Sequence, residues 1–459
     1  MSDVPVDWRS DSRFKLLPQG HRAVAAPHHL GHTETVRMPG KGYSLSPLDA
    51  LKHFQDKLKE HEIQELKFRA VTDLVSCLGD SSQKRANWKE YYPEGDRYQP
   101  VVGDHLDFRY EVLESKPIGK GANGWVYRAY DHNQCCCVAV KVERQRNLQF
   151  VKKEAEYLTW IHRGEPFGAD NIISLERSFM FRGSLFLVFP LLRQSITTGP
   201  LSHVVDCSPA NKLPVGDVRE IARQLMPALV CLEGKGLVHG DIKADNLMLT
   251  ESSKVLLIDM GSALFLPHSR ANHESSPQGA TWFKAPEALL EVEWGSAIDM
   301  WSVGCLLYFL VTGEHLFGPS DRQHRSERTD VLRLHVKKLG CPPLSLVTRW
   351  SEQWQTKRML GTGQEVTGKS FPVDLLQHAP PAVHSRHGAT NGDENSICDK
   401  LERMASLNES DSVEFKEFLL ACLDWDPDTR MTPQRALQHP FLSRCSPPGT
   451  KSVLVYHVH

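Results

Sequence analysis

The sequence predicts an α+β fold in two lobes, a small β-rich N-lobe with one main helix and a larger α-helical C-lobe, with a cleft between them. Two observations lead there. Between Phe108 and Phe189 the chain runs in short β-branched and aromatic stretches, at 110–112, 125–130, 138–142, 172–175 and 185–189, with one helix-like interruption at 150–161. From Val215 the apolar residues fall at helical spacing instead. Val218, Ile221, Leu225, Leu229 and Leu232 share one face, which closes at Gly234 and Gly236.

The elements follow in order. Residues 1–44 are rich in His, Pro, Gly and charge without periodicity, and read as loop or disorder. Residues 45–104 read as an accessory helical segment and a linker. Ser46 can cap a helix, Pro47 suits its first position, and Asp49 suits the positive end of its dipole. Leu51, Phe54 and Leu58 continue one face, and Ile63, Leu66, Ala70, Val71 and Leu74 form a stripe that suits a second helix. Such a face needs cover, from the next domain or from a partner. Residues 81–104 are polar, with Tyr91, Tyr92 and Pro93, and read as linker. The main domain spans 105–442, divided at 192/193, and 443–459 form a short tail. Pro227 should bend the helix that begins at Val215. Further helices fit 297–312, 331–339, 413–423 and 432–437, and 378–397 has the composition of a mobile loop insertion.

Composition narrows the classes. Of 459 residues, 40% are hydrophobic and 24% charged, an ordinary globular mixture. Lys and Arg number 54 against 56 Asp and Glu, so the net charge of −2 gives no bulk attraction for nucleic acid or an acidic membrane. No apolar stretch suits a signal peptide or a membrane span. Eleven Cys in so long a chain do not form a disulfide scaffold. Cys135, Cys136 and Cys137 are consecutive, and on a strand they could not all converge on one metal. The expectation is an intracellular protein, cytoplasmic or nuclear.

Five motifs stand out for chemistry or for the charge pairing that supports it. Gly119-Lys120-Gly121-Ala122-Asn123-Gly124-Trp125-Val126 is a G-x-G-x-x-G-x-V run, whose glycines let backbone amides approach phosphates. A dinucleotide-binding turn shares the pattern but opens a helix. Here a strand follows, which favours a hairpin over a nucleotide. Lys141 ends the apolar run Val138-Ala139-Val140 and needs a counter-charge. Glu154, on the following helix, is the favoured partner and Glu156 the rival. In His239-Gly240-Asp241-Ile242-Lys243-Ala244-Asp245-Asn246, the spacing suits phosphoryl transfer. Asp241 can accept a hydroxyl proton, Lys243 can neutralise the migrating group, and Asn246 can hold a metal. Asp259, before Met260-Gly261 at a strand end, suits a Mg²⁺ ligand beside Asn246. Glu287, in Ala285-Pro286-Glu287, wants a buried partner, for which Arg430 is the candidate.

Together these residues make 108–442 resemble a eukaryotic protein kinase. Within kinases the chain is similar to the CMGC group and most to the dual-specificity tyrosine-regulated (DYRK) family. The likeness rests on Phe108-Arg109-Tyr110-Glu111-Val112-Leu113, Ala129-Tyr130-Asp131-His132, Ile298-Asp299-Met300-Trp301-Ser302 and Asp424-Trp425-Asp426-Pro427-Asp428-Thr429-Arg430. The segment from Ala50 to Leu66 resembles an accessory helix preceding some members' kinase domain, and Leu339-Gly340-Cys341-Pro342-Pro343 resembles the CMGC insert.

The resemblance implies a bilobal protein-kinase fold that binds ATP and Mg²⁺ and transfers the γ-phosphate to Ser/Thr hydroxyls of protein substrates, with dual specificity open. It implies Lys141, Glu154, Asp241 and Lys243 as catalytic, and Asn246 and Asp259 as metal ligands. The nucleotide would meet Ile118, the run from Gly119 to Val126, Ala139 and Met248. Phe189 resembles the gatekeeper, and Pro190-Leu191-Leu192 the hinge. Asp299 should accept from the catalytic-loop backbone. A monomer is expected, with no nucleic acid or membrane as partner.

Departures from the family motivate the alternative, a pseudokinase scaffold. Ser275-Ser276-Pro277 stand where the family carries a Tyr pair, Thr281 replaces an Arg, and Met260 replaces Phe. Ala280 stands where a hydroxyl usually contacts the catalytic Asp and Lys, a role Thr281 could take. Gly240 replaces the Arg that binds a phosphorylated activation loop. None of these removes a proton acceptor or a metal ligand.

Overall fold

The computed structural model describes residues 46–67, 87–93, 97–121, 124–143, 147–192, 194–195, 213–250, 252–266, 279–318, 328–359 and 409–444. The expected loop at 378–397, the apolar stripe beyond Lys67 and Ser275-Ser276-Pro277 lie outside them. The chain divides into two compact units. Unit 1 is 1–155 with 174–191, and unit 2 is 156–173 with 192–459. The division falls one residue before the expected 192/193 boundary, and it assigns 156–173 to the helical unit.

In unit 1 the chain opens with helices α1 (Pro47–Phe54) and α2 (Glu60–Lys67). One antiparallel sheet follows: β1 (His105–Leu106), β2 (Tyr110–Val112), β3 (Gly119–Gly121), β4 (Gly124–Asp131), β5 (Cys136–Val142), β6 (Arg177–Phe181) and β7 (Ser184–Pro190). Its order is β1-β2-β4-β5-β7-β6, with β3 paired to β4. Alternation buries Tyr127 and Ala129 from β4 and Val138, Val140 and Val142 from β5, as period-two strands require. Helix α3 (Leu148–His162) leaves this sheet and ends in unit 2.

Two expectations change here. The apolar run 172–175 forms no strand. Ile172 makes only an isolated parallel bridge to Leu257 in unit 2, and the edge strand is β6. Residues 87–93 and 97–104 are no loose linker either. Tyr91 and Tyr98 are fully buried and stacked with centroids 5.0 Å apart, in one apolar cluster with Leu58, Leu66, Phe181 and Phe186. The many polar atoms of this stretch concealed that the tyrosine rings are core, with their hydroxyls satisfied by Asp104 at 3.3 and 2.7 Å.

The β6–β7 hairpin turns on Arg182 (φ 46°) and Gly183 (φ 83°), the positive angles of a tight primed turn. Arg182 is thereby aimed at the N-terminal helices. Its guanidinium donates to both Glu65 oxygens at 2.9 and 3.0 Å and to the Tyr98 hydroxyl at 3.0 Å. It also lies within 3.8 Å of Glu62 and 3.7 Å of Asp104. The accessory helices therefore pack on this unit's own sheet.

In unit 2 the chain continues with β8 (Gln194–Ser195) and α4 (Val215–Gly234), then β9 (Leu237–Val238), β10 (Leu247–Leu249), β11 (Val255–Leu257) and β12 (Leu264–Phe265). Among the described residues, the helices that follow are α5 (Pro286–Leu289), α6 (Ala297–Thr312), α7 (Arg328–Leu339), α8 (Leu344–Met359), α9 (Glu409–Cys422), α10 (Pro433–Leu437) and α11 (Pro440–Ser443). The predicted stripe of α4 is buried along its length. Helix α6 is buried on every side and stops at Gly313, in the left-handed conformation that suits a glycine. Two small sheets, β11-β10-β8 and β12-β9, frame the loop 239–246. Among the described residues no helix is long and apolar enough to cross a membrane.

Candidate active site

Each unit holds one constellation. In unit 1 the register of β3 against β4 sets Gly119 opposite Val126 and Lys120 opposite Trp125, so the glycine run is a hairpin followed by a strand. Ala122 and Asn123 at its tip lie outside the described residues. Gly124 has φ 137°, and a Cβ there would come within 3.1 Å of both the Lys141 side chain and the Val142 carbonyl oxygen. The glycine is thus required by conformation and by space.

Lys141 is 7% exposed, and its ammonium donates to both carboxylate oxygens of Glu154 at 2.8 and 2.9 Å. This settles the choice between Glu154 and Glu156. Removing either partner would strand a buried charge. Ala139 pairs with Phe189 and Val138 with Pro190 across β5 and β7. Ile118 is 48% exposed at the entrance to β3, and its N–H donates to Val126. Leu192 opens the second stretch of unit 2.

In unit 2 the loop after β9 is built around Asp299, on α6. Its two oxygens accept from the backbone N–H of His239 at 2.8 Å and of Gly240 at 2.9 Å. Burial pushes the Asp299 carboxyl up, against these two N–H bonds that favour its charged form. His239 contacts the Ile258 carbonyl with Nε2 at 3.1 Å and accepts the Asp241 N–H on Nδ1 at 3.2 Å. Asp241 is thereby fixed at its backbone.

Its side chain is fixed as well. Oδ2 accepts from Lys243 Nζ at 2.7 Å and from Asn246 Nδ2 at 3.1 Å, and Oδ1 accepts from the Ala280 N–H at 2.9 Å. Thr281 could have supplied the hydroxyl that Ala280 lacks, yet the donor that reaches Asp241 from this segment is the Ala280 backbone. Sequence motifs report side chains, so this contact left no signal.

Asn246 turns its Nδ2 to Asp241, donating to the backbone oxygen at 2.8 Å as well. Its backbone oxygen accepts from Ile258 N–H at 2.9 Å, which ties it to the residue before Asp259. Asp259 has φ 63°, and its carboxylate accepts from Gly261 N–H at 3.2 Å. A carboxylate and an amide oxygen are hard donors of the kind Mg²⁺ prefers, so these residues fit that ion. Met248 lies on β10, paired with Leu256 and Ser195.

Three further residues belong to this constellation. Lys284, with its ammonium lowered to about 8, is shifted chiefly by burial and further by Arg328, while Asp241 opposes the shift. Glu287 and Arg430 form the expected buried pair at 2.6 and 3.0 Å, anchoring the segment that follows Lys284.

Comparison with known proteins agrees with this geometry. Residues 112–442 match the protein kinase domain. The chain is 31% identical over 421 residues to dual specificity tyrosine-phosphorylation-regulated kinase 3 of Rattus norvegicus, covering 89% of this chain and 67% of that protein. It is 32% identical over 411 residues to dual specificity tyrosine-phosphorylation-regulated kinase mbk-2 of Caenorhabditis elegans, covering 87% and 47%. To serine/threonine-protein kinase ppk5 of Schizosaccharomyces pombe it is 30% identical over 349 residues, covering 75% and 37%. The chain thus spans about half the length of the nematode relative.

Proposed function

We propose, because this chain belongs to the protein kinase family, that it transfers the γ-phosphate of ATP to Ser and Thr hydroxyls of protein substrates. The observation that carries the reading is the three-way grip on Asp241 by Lys243, Asn246 and Ala280. A carboxylate so held is aimed for one task, to accept the hydroxyl proton as the phosphoryl group departs. Lys243 would balance the charge of the migrating group, and Lys141, oriented by Glu154, would hold the α- and β-phosphates. The hairpin from Gly119 to Val126 would offer backbone N–H groups to the phosphates. Asn246 and Asp259 would hold Mg²⁺, which supplies charge neutralisation at the phosphate oxygens.

The pseudokinase alternative finds no favouring observation, since none of these groups is replaced. Incubation with Mg²⁺, radiolabelled ATP and a generic basic protein, followed by phosphoamino-acid separation, tests the proposal. The expected label is phosphoserine and phosphothreonine with wild type and none with Asp259→Asn. Equal labelling by the two proteins would sink the assignment of the metal ligand, and label confined to tyrosine would sink the substrate class.

A further inference from the structure

We propose that His105, Glu111 and His132 form a binding site for one divalent transition-metal ion, of the Zn²⁺ class, at the β1 edge of the unit 1 sheet. No part of the phosphotransfer reading uses these residues. Their convergence is written into the strand register. His105 on β1 stands directly opposite Glu111 on β2, which places both side chains on one face. The β2–β4 pairing ends at Tyr110 and Asp131, and the next residue, His132, is held there by its N–H on the Arg109 carbonyl at 3.2 Å. Three neighbouring segments thus deliver one candidate ligand each, and the ligand atoms all lie within 4.8 Å of one another.

The ring geometry suits an ion. The two imidazole centroids are 5.5 Å apart with 21° between their planes. Two imidazoles bound through nitrogen to one tetrahedral ion at the usual Zn–N length would have centroids roughly 5 Å apart. Glu111 Oε2 is 2.7 Å from His132 Nε2, so a small opening of that contact would admit an ion between them. The tautomer is set in the manner common to metal-bound histidines. His105 Nδ1 lies 3.1 Å from the Gly103 carbonyl, to which its N–H can donate, and this makes Nε2 the ligating nitrogen.

The surroundings suit a three-ligand site with water as the fourth. His105 is buried, whereas the side chains of His132 and Glu111 are 12% and 27% exposed, which opens one side to solvent. Two imidazole nitrogens and one carboxylate favour Zn²⁺ over Mg²⁺. The adjacent thiols do not complete the set. Cys135 Sγ faces the His132 carbonyl at 3.8 Å, and burial pushes the Cys136 thiol up to about 11, away from the thiolate form a metal needs.

The experiment is a Co²⁺ titration of the chelator-stripped full chain, read by the visible ligand-field absorption of a four-coordinate ion and reversed by Zn²⁺. The expected result is one equivalent bound by wild type. His105→Asn, His132→Asn and Glu111→Gln should each weaken binding by about 100-fold or more, by analogy with the losses that follow even outer-sphere changes. Glu111→Gln preserves shape and hydrogen bonding, and its retained melting temperature and phosphotransfer would show that the loss is not unfolding. The chain has 22 His, so ions can bind elsewhere. Equal Co²⁺ bands in wild type and all three variants, or no stoichiometric band in wild type, would overturn the site.

Discussion

Gly279 passes so close to Gly240 that a Cβ on Gly279 would stand 2.1 Å from the Gly240 carbonyl oxygen. The same Cβ would come within 3.1 Å of Asp241 Cα and Oδ1. The contact brings the next N–H, that of Ala280, to Asp241. Gly279→Ala must therefore push this segment off the loop. A displacement near 1 Å at a reacting group costs on the order of 100-fold in kcat. Steady-state kinetics should show that loss with little change in the melting temperature; an unchanged kcat would show that the contact is dispensable.

Gly240 itself sits at φ 74°, a conformation that glycine adopts without strain. It offers no guanidinium for a phosphorylated activation loop. Activity should therefore survive phosphatase treatment that strips 262–284. Mass spectrometry of that peptide beside an activity assay checks this, and a parallel loss of phosphate and activity would contradict it.

Arg182 joins the N-terminal helices to the sheet of unit 1. Arg182→Ala would leave Glu62 and Asp104, both fully buried, without this cation. Breaking a buried ion pair costs about 3–5 kcal/mol. Urea unfolding should show a loss of that order, and limited proteolysis should cut sooner within 46–104. A variant as stable as wild type would mean that aromatic packing alone holds the segment.

His335 on α7 is wholly buried among Trp301, Phe317 and Trp425, with ring centroids 4.8, 4.1 and 6.0 Å away. Burial, helped by the nearby Arg430, lowers its pKa from 6.5 to about 3. Between those values the unfolded chain binds a proton that the folded chain refuses, so stability falls as pH drops through that window. The full effect is at most about 5 kcal/mol. Unfolding free energies measured from pH 7 to 4 should fall less steeply for His335→Met than for wild type; parallel slopes would contradict the assignment.

The parts legible in sequence were those that repeat or that sit on side chains. The α4 stripe from Val218 to Leu232 followed helical spacing, and the glycine hairpin followed from its glycine motif and the strand after it. Lys141 with Glu154, and Glu287 with Arg430, followed from the rule that buried charges come paired. The packing of 87–93 and 97–104 escaped because Tyr91 and Tyr98 are amphipathic, and polarity alone does not say which end is buried. The 172–175 run escaped because short apolar stretches serve strands and buried turns alike. The Ala280 contact and the convergence of His105, Glu111 and His132 depend on backbone and on strand register, which no local pattern encodes.

The central claim is that Asp241 accepts the substrate proton. Single-turnover phosphotransfer by Asp241→Asn, with nucleotide affinity measured separately, tests it most directly. Asparagine keeps the shape, but its single side-chain oxygen can accept from Lys243 or from Ala280 and not from both, and it cannot take up the proton. The account predicts unchanged ATP affinity and a rate lower by roughly 10²–10⁴-fold, the usual contribution of general-base catalysis. A variant that transfers phosphate at the wild-type rate would contradict it.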